Sequence, residues 1–540
     1  MCGLFESSLN AIYNSCNFNS YLKTFRLALK MFEVVCFDLD NTLFNHSSAE
    51  YKAYESVHQY LRTVHNIIGI DFVRAKSNVK RRVDTYNRLL YFKEALKQYP
   101  HADILAMGCN QEYWTAFYDH VDKPYEGVVE LIKFFKSWGC KIKVITNFTH
   151  EHQLQKMQRL NLIQLIDDVV SSEEAGCKKP SPYIFEYALK GHNLNKCCMI
   201  GDDLVADAVG SKDSGMMCFH FDPRAPFTHS FTTFKSYREL IQLMQEFKAK
   251  LDVFIQLCHR VGERQDLTQG AGGNVSVKWN EWMIIKASGC CLADVSTTSG
   301  WSLLQYANPY EKYRLEYGDK PSIETCVHQV MDKSVVVHCH PTNVLLQMLS
   351  TPVVGIDKVE YIPPGQELAI KLEPFKHNEC VYLQNHGIIV STDSLKVEDS
   401  LNLLDKHTKA RTEYKAANTL AIKGITMLAT GVSTEQVKLI LDCYTGFNHF
   451  FTPDTAVFLQ QFFTSIEDAV ASGLDRFVLV LPEGVYLHAP GLKQVQVMQE
   501  LFTQHCELLL KLKGDTSNAL SLGEVDKLQN RPDEKFRLQK

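Results

Sequence analysis

The sequence predicts two α/β units in series, and three observations predict it. Beginning at Met31, short apolar runs, among them Lys141 to Thr146 and Lys196 to Gly201, alternate with helix-length segments, the pattern of a parallel sheet. A second, more strand-rich stretch follows, in which VSVKWNEWMIIKASG, SVVVHCHP, CVYLQNHGIIVST and RFVLVLPEGVYLHA alternate with helices. At 540 residues the chain also exceeds the ~250–300 residues at which a single core stops growing.

Residues 1–30 form an N-terminal extension with one acid, Glu6, and the bases Lys23, Arg26 and Lys30. This composition fits a presequence, an added helix, or a start codon set too early, because Met31 directly precedes the first strand signal. The first unit is expected over residues 31–247. Within it, residues 45–125 carry helical periodicity (AEYKAYESVHQYLRTV, YNRLLYFKEALKQY) and no strand signal, which predicts a helical cap inserted after the first strand. Sheet patterning ends near Arg238, and a helix from Leu240 to Val261 leads into the second unit, expected over residues 248–513, with no Gly/Ser-rich linker. Residues 514–540 are polar and charged and are expected to be a disordered tail. No internal repeat is found.

Composition narrows the function. The chain is 45% hydrophobic and 22% charged, and no apolar run reaches the ~18–20 residues that span a bilayer. A formal charge of −5 gives no basic footprint for nucleic acid, so small molecules are the expected partners. The 17 cysteines include no CxxC, which argues against a zinc knuckle or a disulfide framework and for a reducing, cytoplasmic setting.

The segment EVVCFDLDNTLF places Asp38 and Asp40 at the carboxyl end of a buried strand, where open α/β sheets bind ligands. Their two-residue spacing projects both carboxylates to one side, a pair suited to Mg²⁺, nucleophilic attack on phosphorus and proton transfer; the plainer reading is an aspartate-capped turn. Thr146 and Asn147 close the next strand, KVITN, where a hydroxyl and backbone NH groups can hold a phosphate oxygen. Lys179 in CKKPSPYIF offers a point cation, and MIGDDLVADAVGSKDSGM supplies Asp202, Asp203 and Asp207. This ordered set resembles the haloacid dehalogenase superfamily over residues 31–245. The resemblance implies Asp38 as nucleophile, Asp40 as general acid/base, Thr146, Asn147 and Lys179 as phosphate binders, and a Mg²⁺ site drawn from Asp38, Asp40 and Asp202. Dehalogenases of the family lack the second aspartate, so Asp40 favours a phosphatase. The cap stretch RLLYFKEAL is similar to those of sugar-phosphate and nucleotide phosphatases.

In SVVVHCHP, strand alternation puts His338 and His340 on one face, and a third histidine, His386, follows in VYLQNHGIIV. Three imidazoles leaving an open position suit catalytic Zn²⁺, whereas a lone HxH is more often a pair of hydrogen-bonded core histidines. Upstream, PSIETCVH sets Glu324 at the start of a short helix, as a base, a fourth ligand or simply a residue favoured by the helix dipole. QGAGGNVSVK with Asn274, and KASG with Ser288 and Gly289, could cradle a phosphate. Together GGNVSVK, KASG, PSIET, HCHP and LQNHG resemble the class II aldolase/adducin family over residues 250–512. That resemblance implies His338, His340 and His386 as Zn²⁺ ligands, Glu324 as acid/base, and Asn274, Ser288, Gly289 and Ser322 at a phosphate pocket. Ile323 departs from the fuculose-phosphate-type pattern, which has a serine there. FFTPDTAVFL and VLVLPEGVYLHA look like the aldolase portion of rhamnulose-phosphate aldolase/dehydrogenase fusions, without the dinucleotide fingerprint. The family's ring assemblies imply a homo-oligomer, a tetramer.

The expected function is a multifunctional enzyme of carbohydrate metabolism: a Mg²⁺-dependent phosphatase of a small phosphorylated metabolite joined to a Zn²⁺-dependent aldolase that cleaves a phosphorylated ketose. The same second set of motifs would serve a sugar-phosphate epimerase or a methylthioribulose-1-phosphate dehydratase-type lyase. An adducin-like binding module without catalysis is the answer from a different class.

Overall fold

The computed structural model describes residues 32–224, 233–306, 313–350, 357–408, 419–422, 425–430, 449–482, 484–512 and 515–539. The extension 1–30 lies outside them. The chain divides into two compact units, Met1–Glu246 and Phe247–Lys540.

In the first unit, six parallel strands, β1 (Val34–Phe37), β2 (Lys141–Thr146), β3 (Asp168–Ser171), β4 (Cys197–Gly201), β5 (Met217–Phe221) and β6 (Thr233–Phe234), lie in the order β3-β2-β1-β4-β5-β6. Every residue of β1, VVCF, and of β4, CCMIG, is buried, as expected of central strands covered on both faces. Strand order reverses at β1, the point where such sheets open a crevice at their carboxyl ends, and Asp38 is the first residue beyond that end. Four helices, α1 (His46–His65), α2 (Phe72–Lys80), α3 (Arg88–Leu96) and α4 (Ala102–Asp119), follow β1. Asn45 caps α1 by accepting from the Ser48 amide, and Asn66 ends it in the left-handed region. An aromatic cluster of Tyr54, Phe72, Phe92, Tyr113 and Phe117 holds these helices together. The chain returns through α5 (Val128–Ser137) to β2, continues after it into α6 (His150–Arg159), and leaves the sheet in α7 (Tyr237–Gly262).

In the second unit, eight strands, β7 (Asn274–Trp279), β8 (Trp282–Lys286), β9 (Trp301–Gln305), β10 (Arg314–Gly318), β11 (Val335–Cys339), β12 (Lys358–Val359), β13 (Cys380–Leu383) and β14 (Gly387–Thr392), are ordered β10-β9-β8-β7-β11-β14-β13-β12. Strand β11 is antiparallel to both neighbours, with His338 opposite Asn274 on one side and Ile389 on the other. The short helix α8 (Thr325–Val330) precedes β11. A five-stranded sheet follows, β15 (Thr419–Ile422), β16 (Ile425–Ala429), β17 (Phe462–Phe463), β18 (Phe477–Leu481) and β19 (Gly484–His488), in the order β15-β16-β19-β18-β17. Helices α9 (Pro453–Leu459) and α10 (Leu492–Lys511) contribute Val457, Leu459, Met498 and Leu501 to its core.

The expectation of a disordered tail from 514 needs correction. Residues 515–539 contain α11 (Leu522–Asn530), begun by a Ser521/Glu524 capping box, and α12 (Pro532–Gln539). Leu520, Val525, Leu528 and Leu538 join the core of the second unit, and four well-spaced apolar residues suffice to anchor an otherwise charged segment. No helix among the described residues is long and apolar enough to cross a membrane.

Candidate metal centres

The first centre is built on the carboxyl ends of β1, β2 and β4. Asp38, Asp202 and Asp207 each bring a carboxylate oxygen to within 4.8 Å of the others. Lys179 lies among them: its Nζ donates to Asp38 Oδ1 and to Asp207 Oδ1, both at 2.6 Å. Asn147 fixes this lysine through its backbone, with Oδ1 accepting from the Lys179 amide at 2.8 Å and Nδ2 donating to its carbonyl at 3.1 Å. Thr42 secures Asp202, donating to Oδ1 at 3.1 Å while its hydroxyl accepts from the Asp202 amide at 3.0 Å. A Cβ on Gly201 would stand 2.2 Å from Asp207 Oδ2, so the strand must end in glycine for Asp207 to reach the site.

Electrostatics show what the centre lacks. Burial, with Asp207 and Asp40 nearby, pushes Asp38 up to about 8 against the opposing pull of Lys179. Burial and Asp207 likewise raise Asp202 to about 6. Three carboxylates facing one ammonium carry two uncompensated negative charges when ionised, which a hard divalent cation would balance; the donor set therefore fits Mg²⁺.

The carboxylate of Asp40 is not part of this cluster, contrary to its expected place among the metal ligands. It accepts from Lys156 Nζ at 2.7 and 2.9 Å and from Gln153 Nε2 at 3.3 Å. Burial alone would raise Asp40, but Lys156 and His46 outweigh it and bring Asp40 down to about 2. Gln153 also donates to Thr146 Oγ1 at 2.6 Å, linking the second aspartate to the β2 threonine. Lys156 and Gln153 lie three apart on α6, a spacing that puts them on one face but reads in sequence as an ordinary solvated helix surface.

Beside this centre lies a 780 Å³ cavity lined by Tyr86, Arg88 and Trp114 from the cap and by Phe148, His152 and Lys178 from the sheet layer. Phe148 and Lys178 are the chain neighbours of Asn147 and Lys179. Trp114 stacks on His152 at 3.9 Å, and the buried Arg88 pairs with Glu50 at 3.0 Å over the ring of Trp114.

The second centre is built on β11 and on the turn before β14. The Nε2 atoms of His340 and His386 lie 2.9 and 3.3 Å from His338 Nε2, and all three rings are buried. The outer nitrogens of two rings are occupied: His338 Nδ1 faces the Ile388 carbonyl at 3.0 Å, and His340 Nδ1 faces Asp454 Oδ2 at 3.0 Å. Fixing Nδ1 in this way turns the Nε2 lone pairs inward, as in histidine metal sites. Burial holds His340 down to about 4, so it is neutral and able to ligate at neutral pH. The set fits Zn²⁺, three nitrogen donors with a further position available.

Glu324 sits at the N-cap of α8 but makes no cap bond; its Oε1 lies 3.4 Å from His338 Nε2 and 3.2 Å from His386 Nε2. Despite burial, His338 and His386 hold Glu324 well below the usual carboxylate range. Asn274 Nδ2 donates to Ser322 Oγ at 2.5 Å, while Asn274 Oδ1 and Ser288 Oγ are buried without partners. Ser288, Gly289, Ser322, Ile323, Glu324 and Lys286 line one small cavity of about 20 Å³ with His340, His386, Asp454 and Arg537. Two glycines make room for the centre: a Cβ on Gly272 of the glycine-rich turn would meet Asp454 Oδ2 at 2.5 Å, and one on Gly387, after His386, would meet the Cys339 carbonyl at 2.1 Å. Sequence reasoning missed Lys286, Asp454, Arg537 and Gln504, whose Nε2 donates to the His340 carbonyl at 2.8 Å. Lys286 opens KASG and Asp454 lies in FFTPDTAVFL, segments singled out for other residues or for the resemblance alone, while Arg537 and Gln504 lie in no recognisable motif.

Both centres agree with what the chain is similar to. Residues 32–215 match the haloacid dehalogenase-like hydrolases, and residues 252–397 match the class II aldolase and adducin N-terminal domain. The chain belongs to the haloacid dehalogenase-like hydrolases through its first unit, is an enzyme of the phosphatase type there, and carries a class II aldolase/adducin-like domain in its second. Ribulose-1,5-bisphosphate 5-phosphatase of Halopiger xanaduensis is 31% identical over 208 residues, which cover 36% of this chain and 86% of that protein. Glyceraldehyde 3-phosphate phosphatase of Pyrococcus furiosus is 30% identical over 237 residues, 40% of this chain and 93% of that protein. The solved N-terminal class II aldolase domain of a conserved Thermoplasma acidophilum protein aligns with 29% of this chain and 92% of that one at 20% identity, with a TM-score of 0.25.

Proposed function

We propose that the chain is a Mg²⁺-dependent phosphatase of a small phosphorylated sugar joined to a Zn²⁺-dependent aldolase that cleaves a phosphorylated ketose. The observation that carries the reading is a pair of separate three-donor clusters of opposite character, one of carboxylates beside Lys179 and one of imidazoles beside Glu324. The sugar-phosphate phosphatases among the relatives support the substrate class of the first unit.

In the first unit, Mg²⁺ held by Asp38, Asp202 and Asp207 would supply positive charge beside the transferring phosphoryl group. Asp38 attacks phosphorus and takes the phosphoryl group as an acyl phosphate while the sugar oxygen leaves and takes up a proton from solvent. Lys179, tied to Asp38, offsets charge on the phosphoryl oxygens, with the Thr146 hydroxyl as a second contact. Asp40, kept ionised by Lys156, takes the proton of the water that then cleaves the acyl phosphate. In the second unit, Zn²⁺ held by His338, His340 and His386 would supply Lewis acidity at the ketose oxygens. Glu324, held ionised, receives the hydroxyl proton as the carbon–carbon bond breaks and returns it to the carbanionic fragment. Ser288, Ser322 and the side chain of Asn274 offer polar contacts to the substrate's anionic end. The free thiols of the described cysteines suit a reducing cytoplasm, and the assembly we expect is a homotetramer.

The test incubates the protein with Mg²⁺, Zn²⁺ and a panel of ketose 1-phosphates, following dihydroxyacetone phosphate and inorganic phosphate beside Asp38→Asn and His338→Ala. Loss of phosphate release only in Asp38→Asn, and of dihydroxyacetone phosphate only in His338→Ala, supports the reading. Isomerised or dehydrated product, lost in His338→Ala, would replace the aldolase by an epimerase or dehydratase. A protein that binds no zinc and forms no product points to an adducin-like binding module instead.

A further inference from the structure

The second centre is braced by the last turns of the chain. Asp454, at the start of α9, sends Oδ2 to His340 Nδ1 at 3.0 Å and Oδ1 to Arg537 Nη2 at 2.8 Å. Arg537 reaches in from α12, and its other edge, Nη1, meets Glu534 Oε2 at 2.8 Å one turn back on the same helix. Asp454 and Glu534 are both buried, at 4% and 0% exposure, and the guanidinium lines the cavity that contains His340, His386 and Glu324. Its two terminal nitrogens are thus each committed to one buried carboxylate, and the planar guanidinium between them fixes the orientation of both.

Close packing surrounds the arrangement. Gly272 lacks the side chain that would collide with Asp454 Oδ2 and His340 Nδ1, at 2.5 and 3.0 Å from its would-be Cβ. The guanidinium packs against Phe458, 5.4 Å from the ring centre. Helix α12 is fastened at its rim by Lys320, which pairs with Asp533 at 3.1 Å and lies over Phe536 at 4.3 Å. Asn518 and Asn385 tie the approach to this segment to the His386 turn, Asn385 Nδ2 donating to the Asn518 carbonyl at 2.7 Å.

Resting on the reading of a three-histidine Zn²⁺ centre, we infer that Arg537 is a positioning residue of that centre: it aims Asp454 at His340 and so sets the orientation of one ligand. Residues 515–539 are therefore a working part of the lyase unit, although the family match stops at residue 397. If Arg537 is lost, Asp454 is left as a buried charge without its cation, and its carboxylate turns from His340 or takes a proton. In either case His340 loses the acceptor that turns its Nε2 inward, and partners of this kind alter metal affinity by about 10–100-fold.

The experiment is zinc affinity of the full-length chain, by competition with a chromophoric chelator. The expected result is a loss of about 10–100-fold for Arg537→Met and for Asp454→Asn. The double variant should bind no more weakly than Asp454→Asn alone, because both changes break one relay. Arg537→Lys, which keeps the charge but not the fork, should fall between wild type and Arg537→Met, and it carries the test if Arg537→Met does not fold. Lys320→Ala, which loosens the rim of α12 without touching Asp454, should bind as wild type does. Wild-type affinity in Arg537→Met or Arg537→Lys, or losses in the double variant that simply add, would overturn the inference while leaving the zinc reading intact. Wild-type protein that takes up no zinc would overturn both.

Discussion

Replacing Lys179 with methionine tests the electrostatic argument for the first centre directly. The ammonium lies 2.6 Å from both Asp38 and Asp207, and these side chains are at most 10% exposed. Removing one partner of a buried pair costs ~3–5 kcal/mol when the remaining charge has no escape. Here it has one, because Asp38, raised to about 8 even with Lys179 present, can take a proton. A carboxyl whose folded value exceeds its unfolded value of 3.8 stabilises the folded chain at low pH, and that contribution is lost as pH rises through 8. Without the ammonium the folded value climbs further, so the window of loss extends upward. The variant should therefore lie close to wild type at pH 5 and fall short of it by ~1.4 kcal/mol at pH 9, one pH unit above the wild-type value. With a urea slope of ~1–3 kcal/mol/M, that shifts the midpoint by roughly 0.5–1.4 M. Hydrogen exchange of peptides spanning β1 and β4, followed against urea in chelator at pH 5, 7 and 9, isolates the first unit. Saturating Mg²⁺ should recover much of the loss at pH 9 by supplying the missing positive charge. An equal deficit at every pH, or none, would refute the account of Lys179 as the counter-ion of a buried carboxylate cluster.

Three other perturbations bear on the same sites. Lys156→Met should release Asp40 from about 2 toward and above its unfolded 3.8; the ~2–3 kcal/mol at stake is present above about pH 4 and vanishes as pH falls through 2, so urea midpoints of the two proteins should converge in acid. Gly387→Ala places a Cβ 2.1 Å from the Cys339 carbonyl at a φ of 152°, which should cost ~1–3 kcal/mol in denaturant titration and weaken zinc binding through displacement of His386. Trp114→Ala opens the cap cavity and removes its stack on His152; KM for the preferred phosphate ester should rise about tenfold with kcat little changed, and an unchanged KM would mean the cavity does not hold the substrate.

The fold class was legible because both units write their strands as short apolar runs separated by helix-length segments, which in the first unit is the pattern of a parallel sheet. The centres were legible where chemistry is concentrated at strand ends. Asp38, Thr146 and Asp202 follow or close neighbouring strands, and His338 and His340 share a strand face, so local spacing already brings them close to where they act. What sequence reasoning missed are groups whose role depends on long-range pairing. Lys156 meets Asp40 across 116 residues, and Arg537 meets Asp454 across 83. A single basic residue on an amphipathic helix looks the same whether it faces water or a buried carboxylate.

The segment after 514 shows why composition misleads in such cases. DEKFRLQK is mostly charged and poor in apolar residues, which in isolation predicts disorder. Part of its charge faces inward, however: Glu534 is buried, Arg537 pairs with the buried Asp454, and Asp533 holds the helix rim to Lys320. A buried carboxylate at Asp454 creates a local demand for a cation, and the chain meets it from its last helix instead of from the sheet that carries the histidines. The same demand operates in the first unit, where Lys179 and Lys156 divide two aspartates of one motif between them. In both units, then, the motif supplies the reacting groups, while a basic side chain distant in sequence pairs with a buried carboxylate of the centre and holds it in place.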